Sequence, residues 1–335
     1  MTSRFEHLRY ESVLKMSDFK PIDIRGVHTY SLLERESKVS IGDFARSWKP
    51  GGNMRLWLQS LPRILAADTL LKVADSLARA KRSGKMIILG IGGHVIKVGL
   101  NPLILDLMDR GIIKGIAMNG ACIIHDMELA LAGHTSEDVS AQIGKGQFGM
   151  AEETGRLLNE AICEGAEKGI GLGAAVGAMI LREDFPCKRY SLLAHAAELN
   201  IPATVHVAVG TDIIHCHPAA DGAAIGNTSH LDFRIFAGLV SRLEQGVFIN
   251  LGSAVIIPEV FLKAVSLVRN LGHEVKDFTT VNMDFIRQYR PTANVVERPT
   301  QEGGKGYSLI GHHEIMFPLL AAAVIEGLEG KDADL

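Results

Sequence analysis

The chain has 335 residues, 47% of them hydrophobic and 22% charged, with a net charge of −3 at pH 7. Such a composition excludes a disordered chain. The charge balance implies no basic surface and argues against nucleic acid, which requires clustered lysine and arginine, so no nucleic-acid partner is expected. Glycine is in excess at 35 residues, which points to tight turns and close backbone approach. Cys122, Cys163, Cys187 and Cys216 form no CxxC pair, which excludes zinc ribbons and thioredoxin-type motifs and makes reduced thiols the expectation. No apolar leader opens the sequence. The longest uncharged apolar run, 169–181, is shorter than the ~18–20 residues of a membrane span. A cytoplasmic protein with no membrane partner is expected.

Residues 1–50 are polar and irregular and read as an N-terminal arm. Residues 51–335 read as a single α/β domain. Apolar spacing over 53–83 predicts helix, broken at Pro62. Asp68 opens the second piece, and Arg79, Lys81, Arg82 and Gly84 close it. Residues 86–90 predict a buried strand, 103–110 a helix, 112–118 a strand, and 125–132 and 151–165 helices. A helix at 191–199, a strand at 201–209 and a helix at 233–243 come next. The chain closes with a strand at 246–251, a helix at 260–271, a strand from 278 and a helix at 318–328. Short apolar strands alternating with longer helices mean right-handed βαβ units. The expected fold is α/β, a doubly wound, mostly parallel, Rossmann-like sheet. Its ligands bind beyond the carboxyl ends of the strands.

The loops at those ends carry the candidate chemistry. The first strand leads to Gly92, Gly93 and His94, where glycine lets the backbone approach a phosphate or ribose; Val95 stands where a dinucleotide fingerprint has its third glycine. A formal GxGxxG at 144–149 follows a polar stretch rather than a strand, and so reads as a surface or active-site loop. Asn119 and Gly120 follow the second strand, with His125, Asp126 and Glu128 in the helix beyond. The third strand leads to His215 and His217, then to Asp221 and Gly222. The fourth ends in Gly252 and Ser253, and the fifth carries Asn282 and Asp284. Residues 303–306 read as a flexible loop. His312, His313 and Glu314 lack HExxH spacing, which excludes a zincin. GxSxG and GxxxxGK[ST] are missing, which removes serine hydrolases of the nucleophile-elbow type and P-loop NTPases. The catalytic candidates are His125, Asp126, Glu128, Asp221 and His313, groups able to bind an ammonium or move a proton. The cofactor candidates are Gly92, Gly93, His94, Asn119, Gly120, Gly222, Gly252, Ser253, Asn282 and Asp284. No metal is expected; His215, His217 and His312 are the residues that would hold one.

Residues 86–133, from MIILGIGGH to ELALAG, resemble the core of deoxyhypusine synthases. The resemblance continues through SLLAHAAELNIPATVHVAV, Asp221-Gly222, FINLGSAVIIPEVFLKAVSLVRNLG and TTVNMDF, and covers roughly 40–290. The segment NGACIIHDMELALAGHTS also resembles the NAD-binding domain of archaeal-type ornithine cyclodeaminases. Both resemblances imply bound NAD and oxidation of an amine to an imine. They also imply a homodimer or homotetramer, for which the run 169–181 is the candidate interface. One departure matters. Deoxyhypusine synthases carry a reactive lysine just after a glycine triplet; here that position falls near Ile256, with no histidine following. Without an amine nucleophile no covalent imine forms there. The expected function is an NAD-dependent enzyme acting on a small amine or amino acid without the covalent lysine step. The alternatives are a dinucleotide-binding sensor or scaffold without turnover, a deoxyhypusine or homospermidine synthase proper, and a metal-dependent enzyme built on the histidines.

Overall fold

The computed structural model describes residues 21–329. The chain divides into two compact units, Met1–Gly42 and Asp43–Leu335. In the first, residues 21–40 form turns and extended backbone. The second holds the helices α1 (Met54–Ser60) and α2 (Leu65–Arg82), strand β1 (Ile87–Ile91), α3 (Gly93–Lys97), α4 (Asn101–Asp109), β2 (Gly115–Asn119) and α5 (Gly120–Ala132). Then come α6 (Val139–Ile143), α7 (Glu152–Lys168), α8 (Leu172–Arg182), α9 (Leu192–Glu198), β3 (Ala203–His206) and α10 (Gly222–Val240). The last elements are β4 (Val247–Leu251), α11 (Ile256–Asn270), β5 (Thr279–Asp284), β6 (Lys305–Ile310) and α12 (His313–Glu329). Among the described residues no helix is long and apolar enough to cross a membrane.

All six strands are parallel, in the order β3-β2-β1-β4-β5-β6. This is the doubly wound order that reverses direction between β1 and β4, the place where such sheets open a crevice. The central strands β1 and β4 are buried along their whole length because both faces of the sheet are covered there. Alternation along each strand splits the core. Ile87, Leu89 and Ile91, with Val247, Ile249 and Leu251, enter a layer shared with α2, α4, α5 and α12. Ile88, Ala117 and Phe248 enter the opposite layer with α10 and α11. There Phe248 stacks on Phe261 at 3.8 Å between centroids, a large burial for two side chains.

Three expectations are corrected. Residues 303–306 are not a loose loop, because Lys305 opens β6 alongside Thr279. A Cβ on Gly306 would overlap the Val296 carbonyl, so that glycine serves close approach. The run 169–181 is not an open apolar face. It is mostly α8, whose Leu172, Gly173, Val176, Gly177 and Ile180 are buried within the chain. Gly173 lies against the Ala203 carbonyl and Gly177 against that of Leu193, leaving no room for a Cβ at either. The last helix begins at His313 rather than 318, with Pro318 inside it. A proline in the second turn removes one hydrogen bond without ending this helix.

Edge strand β3 is protected by α10. Asp232 Oδ2 accepts the N–H groups of Val205 (2.7 Å) and Gly173 (2.8 Å), and Ser229 Oγ donates to the Val205 carbonyl and accepts from Val207 N–H. Unpaired strand edges invite wrong pairing, and these contacts close one. Burial pushes the Asp232 carboxyl up to about 7, against the backbone donors that lower it. Its folded value lies above its unfolded one. Its contribution is therefore complete below about pH 4 and is lost as pH rises through about 7. Asp232→Ala should lower unfolding stability by about 3 kcal/mol, because it orphans two buried donors. Asp232→Asn keeps an acceptor and should flatten the decline between pH 5 and 8. Urea denaturation across pH checks both; an alanine variant as stable as the parent would remove the bracing role.

Candidate active site

The loops after β1 and β4 meet backbone to backbone. Gly92 N–H donates to the Leu251 carbonyl at 3.1 Å, and a Cβ on Gly92 would overlap the Gly252 carbonyl oxygen. Gly252 itself has φ +67°, and a Cβ there would lie 2.9 Å from His313 Cε1. Only glycine gives this approach and this backbone at the point where the sheet reverses.

Around that crevice stand His94, His313, Asp284 and Phe285. The rings of His94 and His313 are 5.4 Å apart, and His313 Nε2 is 3.7 Å from Asp284 Oδ1. His313 is 2% exposed, with neither ring nitrogen hydrogen-bonded. Burial holds its imidazole below the ordinary value, partly opposed by the Asp284 carboxylate. Ser253 Oγ accepts Ile257 N–H at the start of α11. Asn250 donates to the Ser253 carbonyl and to Asn282 Oδ1, which ties the ends of β4 and β5 together.

A second space, a cavity of about 200 Å³, opens beyond β1, β2 and β3. Lys97, His125, Glu128, Glu137, Phe148 and Asp212 line it. Thr135 Oγ1 donates to Glu128 Oε2, and Thr154 Oγ1 donates to Glu128 Oε1 at 2.9 Å. Because the Thr135 proton goes to Glu128, its oxygen accepts from His125 Nδ1–H at 2.7 Å. That assigns the tautomer and leaves Nε2 with its lone pair. The Cδ2 corner of the ring, next to Nε2, faces Gly93 at 3.1 Å from where its Cβ would stand. The imidazole thus lines the cavity with one edge packed against the turn after β1. Burial, with Lys97 beside it, pushes His125 down to about 4. Asp212 lies over the start of α5, where a Cβ on Gly120 would overlap its carboxylate. Burial raises this acid, and its Oδ2 is buried without a partner.

Several sequence candidates go elsewhere. Asp126 is fully buried and takes hydrogen bonds from Asn101, Ser191, and the N–H groups of Leu192 and Leu193. It anchors α9 and does not line the cavity. Asp221 caps α10 through the N–H groups of Ala223 and Ala224, and Gly222 is exposed at the same helix start. Asn119 accepts from Cys122 Sγ at the entrance to α5. His215 accepts Gly210 N–H, His217 sits 3.2 Å from Glu152, and His312 is exposed. Among the described residues no three metal-ligating side chains come together. Thr135, Glu137, Phe148, Thr154 and Asp212 carry no spacing that marks them as site residues. Phe148 belongs to the 144–149 glycine motif, whose Gly149 N–H donates to Glu137 at 2.8 Å; that loop is a wall of the cavity.

No family model matches the chain, and no curated protein matches it. Solved structures do. A LOR/SDH protein from Methanococcus maripaludis S2 is 16% identical over 78% of this chain and 70% of its own, with a TM-score of 0.47. AgrE in its ternary complex with ornithine and NAD+ is 14% identical over 80% of this chain and 34% of its own, with a TM-score of 0.47. An Entamoeba histolytica protein described as a deoxyhypusine synthase is 14% identical over 87% of this chain and 98% of its own, with a TM-score of 0.49. The chain spans about a third of the length of AgrE.

Nitrogen NMR should find His125 as the Nδ1–H tautomer, staying neutral down to about pH 4. Its depressed folded value contributes stability above the unfolded pKa near ~6.5 that is lost as pH falls toward 4. Thr135→Val should leave Nδ1 without its acceptor and mix the two tautomers. An unchanged tautomer in the valine variant would remove Thr135 from the chain of bonds.

Proposed function

We propose that this protein is an NAD-dependent enzyme acting on a small amine or amino acid, with the dinucleotide in the β1/β4 crevice and the amine in the adjoining acidic cavity. One observation carries the reading: His125, on the cavity wall, is tied through Thr135 to Glu128, and its Cδ2 edge packs against Gly93 in the turn after β1. Gly92, Gly93 and Gly252 keep the turns after β1 and β4 closely packed and free of side chains where the sheet reverses. His313, whose two buried nitrogens have no partner, and Asp284 offer polar contacts to it. NAD, when bound, supplies the hydride acceptor for the carbon that carries the amine.

The chain's own groups handle the rest. Glu128, Glu137 and Asp212 give the cavity its affinity for an ammonium, and Lys97 matches a carboxylate when the substrate is an amino acid. Glu128 is held by two threonine hydroxyls, so its position is fixed before substrate arrives. His125 stays neutral, accepts a proton at Nε2 and gives it up readily. Lys263 is exposed on α11 and ion-paired to Glu259, which supports a reaction without a covalent lysine.

Calorimetry should give saturable NAD binding, and an amine and amino-acid panel should give NADH with at least one member. His125→Ala should lower kcat by about 10²–10⁴-fold, the usual weight of a positioned acid–base group. Glu128→Gln should chiefly raise KM. A protein that binds no NAD, or a His125→Ala variant with full turnover, would end this reading.

A further inference from the structure

The opposite edge of the sheet holds a second cavity. It measures about 370 Å³, within the ~300–1,000 Å³ range of small-molecule sites. The amino ends of the strands surround it: Lys85 precedes β1, Gln245 and Gly246 precede β4, Asp277 and Phe278 precede β5, and Lys305 opens β6. The last turn of α2 closes one side with Arg79 and Ser83. A parallel sheet puts every strand start on one edge, so this cavity and the active-site crevice lie at opposite ends of the strands.

Its electrostatics are one-sided. Arg79, Lys85 and Lys305 line it against the single carboxylate of Asp277. Arg79 is held by Asp75 and Ser76, but among the described residues neither the Lys85 nor the Lys305 side chain has a hydrogen-bond or ion-pair partner. Side-chain cations are the main donors, because the N–H groups of Lys85, Gly246, Val247, Thr279 and Lys305 are bonded to neighbouring carbonyls. Gln245, on the cavity rim, has φ +60°. A non-glycine residue held there stores strain of the kind found in ligand clamps. Two lysines without side-chain partners lining one polar cavity suit a ligand with two or more negative charges.

We propose that this amino-edge cavity is a binding site for a small polyanion, held by Lys85 and Lys305 and separate from the active site. Phosphate groups and a tricarboxylate share the required chemistry. The test is calorimetry on the full chain with inorganic pyrophosphate and, in parallel, citrate. Saturable binding of either, weakening with added salt, supports the site, and the tighter probe identifies the source of the charge. The double variant Lys85→Gln/Lys305→Gln should weaken that binding by about tenfold or more, while melting and NAD binding match the parent. The single charge reversal Lys305→Glu should weaken it as well. No binding of either probe would overturn the site, and so would equal affinity in the double variant, which would send the anion to the crevice instead.

Discussion

The backbone contact between Gly92 and Gly252 is the constraint on which the site depends. β1 and β4 are neighbours in the sheet, yet their following chains depart in opposite directions. Splayed loops leave a crevice, and its width is set by how closely the two turns approach. With the Gly92 Cα against the Gly252 carbonyl there is no side chain between them. The space is then walled by what lies just beyond: His94, Asp284 and His313. A methyl group on Gly92 would displace the Gly252 backbone, and one on Gly252 would press on the His313 ring.

Polar groups near this point are arranged at the expense of solvation. His125, His313 and Asp212 all feel burial as the dominant influence, and it keeps the imidazoles neutral while raising the acid. Neighbours then decide what each can do. His125 is fixed by hydrogen bonding through Thr135 to Glu128, so its free nitrogen has one direction. His313 has no such partner and sits between the His94 and Phe285 rings with Asp284 at 3.7 Å. One imidazole is preorganised, and the other remains able to take a hydrogen bond in either sense.

Much of this was legible before the fold was known. Apolar strands broken by helices fixed the doubly wound class, and small residues at strand ends marked Gly92, Gly93, Gly252 and the His125 helix. Three features were not legible, each for a physical reason. Asp126 follows His125 directly, but one residue along a helix is a turn of about 100°, which carries it to α9 and away from the cavity. Asp212 and Asp221 both follow β3, and only the path of the chain through the turn at Ile213–Cys216 separates them. It sets the first over Gly120 and leaves the second to cap α10. Strand β6 was hidden because glycines used for close packing against Val296 have the same spelling as glycines used for flexibility.

Charge is distributed between the two edges in a way that helix dipoles explain only in part. The helices of βαβ units run against the strands, so their positive amino ends gather at the carboxyl edge and their negative ends at the amino edge. Asp212 above the start of α5 follows that field, which offsets some of the penalty of its burial. Arg79, Lys81 and Arg82 in the last turn of α2 follow it too. Lys85 and Lys305 do not belong to that account, since each stands where a strand begins rather than where a helix ends. Their convergence on one cavity beside an already compensated helix terminus is surplus positive charge. Surplus charge of one sign, facing its own cavity rather than spread over open surface, is what distinguishes a binding site from ordinary solvation of the chain.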